Sequence, residues 1–193
     1  MSKIPVIISN IKISVKLKSI SPNTLKNLCK VSNVSFNEVS NFIIFKLKDE
    51  KNCERTYSIF KPNSDNQKEV HVNICGIKEG QIEESIKQLQ KFLEYPLENI
   101  PYKIDTITGS IKLGHKINLR NFLHKNQGDR DNKIKFNPEI FPALFITRDK
   151  ITYAVFSSGS VNAIGAKSRE DIESKINYIL EKCMESASKK LIT

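Results

Sequence analysis

The run FNPEIFPALFITRDKITYAVFSSGSVNAIGAKSREDIESKINYILEK, residues 136–182, decides how the chain is read. Within it ITYAVF (151–156) and SVNAIGAK (160–167) set apolar or β-branched residues at alternate places, the period of a half-buried strand, and Ser158-Gly159 between them is turn chemistry. The two runs form a hairpin. Beyond Lys167 the period lengthens: Ile172, Ile176, Ile179 and Leu180 recur at helical spacing behind Ser168, with Glu170 and Asp171 in the first turn, where acidic side chains suit the helix dipole. A helix closes the unit.

The same order occurs upstream. RTYSIF (55–60) matches ITYAVF, VNICGIK (72–78) matches VNAIGAK, and IEESIKQLQKFLE (82–94) matches the closing helix; ISNIKISVKLK (8–18) pairs with IDTITGSIKLG (104–114). A long unit present only twice argues a pseudo-twofold molecule, since a solenoid usually stacks about three or more repeats of ~20–50 residues. The expected boundaries are 1–95 for the first repeat, 96–101 for a linker, 102–187 for the second repeat and 188–193 for a tail.

Taken in order, residues 4–16 alternate as a strand, and Ser21-Pro22 reads as a helix cap and first helical position ahead of Leu25 and Leu28. A strand is expected over 31–36 and a polar turn over 37–41. Strands follow over 42–48 and 55–61, and the turn-rich PNSDNQ (62–67) is expected to project. A helix over 79–94 stops near Pro96. The second repeat adds a strand over 102–113, a short helix over 117–125, a disordered-looking polar piece over 125–133, strands over 134–137 and 141–148, and a tail that frays after Cys183.

Lys and Arg number 31 against 21 Asp and Glu, a formal charge of +10 that fits a polyanionic partner without identifying one. The four cysteines have no CxxC spacing, and the three histidines fit no HExxH or finger pattern, so a reduced intracellular protein with neither metal nor cofactor is expected. Residues 1–6 carry no signal-peptide core and no apolar run approaches the ~20 residues of a membrane span, so a soluble chain is expected. GSVNAIGAKS (159–168) is no P-loop, because Ala166 separates glycine from lysine. No Ser/His/Asp set or carboxylate pair stands at a catalytic spacing, so no enzyme is expected.

NPEIFPALF, VFSSGSVNAIGAKS and KIDTITGSIKL closely resemble the second repeat of the TATA-box-binding-protein family, and the fainter first copy extends the likeness over nearly the whole chain. The resemblance implies an α+β fold: a pseudo-twofold saddle of two repeats, with a ten-stranded antiparallel sheet and helices on its convex face. It implies double-stranded, AT-rich promoter DNA as partner, bound and kinked through the minor groove by paired phenylalanines. Phe141 and Phe156 occupy those positions in the second repeat. In the first, Phe60 matches directly and Phe42 matches with one residue inserted before it.

The floor of the platform departs from the family. Asn10 keeps an asparagine whose counterpart is Thr106; Lys12 and Thr108 replace valines two residues later. On the strand before each closing helix stand Asn73 and Cys75, or Asn162 and Ile164, in place of valine and threonine; Ser58 and Ala154 replace the leucine two residues before Phe60 and Phe156. An apolar floor tolerates no exocyclic amine of guanine, whereas an amide both donates and accepts, so weakened or altered TATA preference is expected. Lys16, Lys46, Lys48, Lys61, Lys112, Arg148 and Lys167 are candidate phosphate contacts.

The turn holding Asn137, Glu139 and Ile140 resembles the family's docking loop for transcription factor IIB, with Asn137 in place of a glutamate. The implied protein partners are a factor-IIB-like protein and the RNA polymerase machinery. A rival reading is an interaction adaptor or decoy that has lost DNA bending. The abundance of isoleucine, lysine and asparagine fits an AT-rich genome, a large DNA virus or a eukaryotic parasite, with the nucleus or a cytoplasmic viral replication site as compartment.

Overall fold

The structure is a computed structural model and describes residues 5–18, 20–62, 69–96, 99–128 and 132–187. Most of the expected projecting loop, part of the linker, the centre of the polar piece and the tail over 188–193 lie outside the described residues.

Along the chain the elements are β1 (Ile7–Lys18), α1 (Pro22–Val31), β2 (Phe36–Val39), β3 (Phe42–Lys48), β4 (Glu54–Phe60), β5 (Glu69–Ile77) and α2 (Ile82–Phe92). The second copy gives β6 (Tyr102–Lys112), α3 (Leu119–Lys125), β7 (Lys133–Phe136), β8 (Ala143–Arg148), β9 (Ile151–Phe156), β10 (Ser160–Ala166) and α4 (Arg169–Glu185). The strands form one antiparallel sheet in the order β2-β3-β4-β5-β1-β6-β10-β9-β8-β7, the mirrored order a duplicated unit requires. No described helix is long and apolar enough to cross a membrane.

Two compact units emerge, and their limits differ from the repeat boundaries in the sequence. One consists of the chain through Ser9 with Thr106 onward; the other is Asn10–Asp105. The divisions fall inside β1 and β6, not at residues 96–101. In the first unit the start of β1 is tied down by Arg169, whose guanidinium donates to the Val6 carbonyl, and by Ser9, whose hydroxyl donates to the Thr108 carbonyl.

Local chemistry explains the helix ends. Ser21 accepts from the Thr24 amide at 3.0 Å and Pro22 opens α1, whose buried face is Leu25 and Cys29. The helix runs to Val31, so the strand expected over 31–36 does not form. Asn33 takes a positive φ of 52°, the Val34 amide donates to the Cys29 carbonyl, and the next strand begins only at Phe36. Ser168 caps α4 by accepting from the Asp171 amide, and Ile172, Ile176, Ile179, Leu180 and Cys183 form its buried stripe. The Lys175 ammonium, 2.6 Å from Asp171, holds that carboxyl below the usual range.

Each unit has the same irregularity before its closing helix. Gly76 and Gly165, matched in the sequence repeat, have φ of +86° and +103°, and the ladder shifts register between Ile11 and Ile13 in one unit and between Ile164 and Ala166 in the other. A Cβ at Gly76 would lie 3.0 Å from the Glu54 carbonyl oxygen, and at Gly165 3.1 Å from that of Lys150. Both Gly76→Ala and Gly165→Ala are expected to cost about 1–3 kcal/mol of stability, read as a lowered urea midpoint at unchanged slope.

Candidate nucleic-acid interface

Helix α2 packs on β5 in one unit and α4 on β10 in the other, burying one side of the strands. The opposite side carries the residues the sequence singled out.

In the Asn10–Asp105 unit, Ile43, Phe45, Tyr57, Ile59, Val72 and Ile74 are buried, while the alternate residues stay partly exposed. Cross-strand register assembles those alternates into rows: Ile44–Ser58–Asn73–Ser14, then Lys46–Thr56–Cys75. Phe42 and Phe60 pair directly at the end of the ladder, ring centroids 5.4 Å apart. Asn10 accepts the Gly76 amide at 2.8 Å, so its carbonyl is committed to the strand irregularity. Lys12 lies 3.4 Å from the Asp105 carboxylate, which also accepts from the Ser14 hydroxyl at 3.1 Å. Burial raises the pKa of the Cys75 thiol.

The other unit repeats the design with different chemistry. Its rows are Phe145–Ala154–Asn162–Ser110 and Thr147–Thr152–Ile164–Thr108. The Ser110 hydroxyl donates to the Asn162 carbonyl at 2.8 Å, and the Thr147 and Thr152 hydroxyls are 3.1 Å apart. Ile164 is 40% exposed. Two expected contact residues are withdrawn: Ala154 is only 3% exposed between Phe145 and Asn162, and the Thr106 hydroxyl is buried without a partner.

The two phenylalanine pairs are built differently. Phe141 precedes β8 instead of opening it, as the sequence had implied, because Pro142 has no amide to give the ladder; Ala143 takes the position opposite Phe156. Phe141 is 44% exposed, 6.1 Å from the Phe156 ring and 5.4 Å from the Phe145 ring. Phe42, by contrast, sits in the ladder where its counterpart is Ala143. Phe42, Phe60 and Phe156 alternate with buried Ile43, Ile59 and Val155, so they stand on the face away from the helices. Phe145 and Ile44 belong to the same face and were missed; their place in the alternation of β8 and β3 was the available signal.

The basic residues divide. Lys16, Lys46, Lys48 and Lys112 share the open face; Lys46 is 2.7 Å from Glu54 and Lys16 3.8 Å from Glu69. Lys61 and Lys26 clamp Glu38, each at its own oxygen and at 2.7 and 2.6 Å, and hold its carboxyl below the usual range. Arg148 belongs on the helix side, its guanidinium 4.2 Å above the Tyr178 ring of α4. Asn137, Glu139 and Ile140 lie in an exposed turn closed by Ile140 and Phe141 amides donating to the Asn137 carbonyl; Ile140 is 81% exposed. Among the described residues no group of three or more His, Cys, Asp or Glu could hold a metal ion.

Comparison with known proteins agrees with this architecture. The family model described as transcription factor TFIID, or TATA-binding protein, matches residues 101–185. The TATA-box-binding protein of Thermococcus celer is 32% identical over 87 residues, 44% of this chain and 43% of that protein. The TBP-related factor of Drosophila melanogaster is 34% identical over 86 residues, 44% of this chain and 36% of its own length. These matches span less than half the length of either relative. Methanococcus jannaschii TBP, at 22% identity, superposes with a TM-score of 0.68 over 93% of this chain and 98% of its own, which carries the shared fold into the first repeat. The second repeat thus matches the TATA-box-binding-protein family in sequence, and the chain shares the TBP fold across both repeats.

Proposed function

We propose that the chain is a DNA-binding transcription initiation factor whose open sheet face enters the minor groove of promoter DNA, with Phe42, Phe60, Phe141 and Phe156 wedging base steps apart. The observation that carries this reading is the position of Phe42 and Phe60 in one unit, and of Phe141 and Phe156 in the other, on the side of the strands opposite the one that α2 or α4 packs on, with lysines on the same face of each. Non-polar rings at such a surface are costly in water and useful against unstacked bases. The exposed Asn137–Ile140 turn is the proposed docking point for a factor-IIB-like protein, through which RNA polymerase is recruited. Within the floor, Asn73, Asn162 and Lys12 replace an apolar surface with hydrogen-bonding groups, and TATA preference is weakened or altered accordingly.

A competition gel shift tests this: comparable affinity for TATA-containing and scrambled AT-rich duplexes is expected, and strong discrimination for TATA contradicts the altered preference. Lys16, Lys46, Lys48 and Lys112 give up to four phosphate contacts, so the log–log salt slope of binding is expected between about −2 and −4. A flat salt dependence contradicts backbone contact by these lysines. The adaptor reading draws on one observation, the Asp105 carboxylate beside Lys12 on the open face. It requires that no duplex is bent.

A further inference from the structure

The matched asparagines of the floor, Asn73 and Asn162, have different surroundings. In the ladders each stands beside a serine of the neighbouring opening strand, Ser14 for Asn73 and Ser110 for Asn162. Ser110 donates to the Asn162 carbonyl and takes up one of its two lone pairs, so the NH2 group, a donor, is the part of Asn162 left fully available to a ligand. Ser14 turns instead to the Asp105 carboxylate, which Lys12 also approaches. The Asn73 carbonyl is thereby left without that donor, and Asn73 lines a shallow groove together with Ser14, Asp105, Phe60 and His71. The residue matched with Asp105 in the other repeat is Ser9, whose hydroxyl donates to the Thr108 carbonyl, so nothing there draws Ser110 away.

Minor-groove edges distinguish base pairs by one group: A·T and T·A show only acceptors, and G·C adds the guanine 2-amino donor. A floor donor such as the Asn162 amide suits the acceptors common to all pairs. A floor carbonyl beside a carboxylate suits the amine. We propose that Asn73, whose carbonyl Ser14 does not occupy because it is turned to Asp105, reads the 2-amino group of a guanine, so that the Asn10–Asp105 unit accepts a G·C pair where the other unit does not.

This rests on the DNA-binding reading, and the test separates the two. Duplexes in which a single G·C pair is moved through an AT-rich site are compared with the same duplexes carrying inosine·cytosine, which lacks only the 2-amino group. At one position G·C is expected to bind about fivefold or more tighter than inosine·cytosine. Asn73→Val and Asp105→Ser should each abolish that ratio, and Asn162→Val should leave it. Because the readout is a ratio for one protein on two duplexes, a general change in affinity or charge does not mimic it. If inosine·cytosine binds as well as or better than G·C at every position, the acceptor assignment falls while DNA binding stands. If no duplex binds, the DNA-binding reading falls and the assignment with it.

Discussion

Arg55→Ala is expected to lower stability by about 3–5 kcal/mol, combining a cavity with several orphaned acceptors. The Arg55 side chain has no exposed surface. Its guanidinium donates to Gln88 and Gln81, both at 3.0 Å, lies 3.0 Å from Asp49 and approaches Glu84 at 3.7 Å. The Tyr57 hydroxyl donates in turn to Gln88 at 2.7 Å and lies 3.1 Å from the Ser85 carbonyl, and burial raises its phenol pKa. Removing the cation leaves three side-chain acceptors facing each other around an empty site. Arg55→Met keeps volume and should recover part of the loss. Urea denaturation measures both; a change under about 1 kcal/mol for Arg55→Ala would contradict the network.

The network also sets a pH dependence. The Cys53 amide foremost, and the Arg55 guanidinium, hold the Asp49 carboxyl below its ordinary value. The contribution is therefore present above the ordinary carboxylate pKa and lost as pH falls through the lowered one. The matched position in the other repeat is Ile151, which is simply buried, and the Tyr153 hydroxyl finds no partner there; burial pushes its pKa up to about 12. Among the described residues, Arg55 is the one charged residue that is buried, so the second repeat shows no counterpart.

Phe141→Ala with Phe156→Ala should leave the fold intact and remove most DNA bending. Phe141 is 44% exposed and Phe156 is half-buried, so each truncation removes little core packing. Contact with an unstacked base is worth about 1–3 kcal/mol per aromatic, so the double variant is expected to bind roughly 100-fold more weakly at an unchanged urea midpoint. Phe42→Ala with Phe60→Ala should cost less affinity per ring, because these two rings pack against each other, tilted, as a directly opposed pair within the ladder. Equal binding by the parent and the Phe141/Phe156 double variant would show that those rings are not wedges.

What the sequence made legible follows from how far each signal reaches along the chain. The alternation in ITYAVF and SVNAIGAK, the shift to helical period after Lys167 and the second copy of both are local, so the strands, the closing helix and the duplication could be read directly. The expected strand over 31–36 failed on helix-end chemistry, where α1 runs on to Val31, Asn33 in a left-handed conformation ends it, and β2 starts only at Phe36. Ala154 and Phe145 exchanged roles because exposure depends on cross-strand neighbours and not on strand parity alone. The Ser14–Asp105 hydrogen bond joins residues 91 apart, a pairing no local pattern contains, and it changes what Lys12 and Asn73 can do. Arg148 read as a surface cation, yet its face of β8 turns it onto Tyr178.

The most direct test of the central claim is energy transfer between dyes at the two ends of a short AT-rich duplex, titrated with the unsubstituted chain. Aromatic wedges on the open face predict a shortened end-to-end distance on binding, at a concentration that rises steeply with salt. Saturable binding with the end-to-end distance unchanged would contradict it.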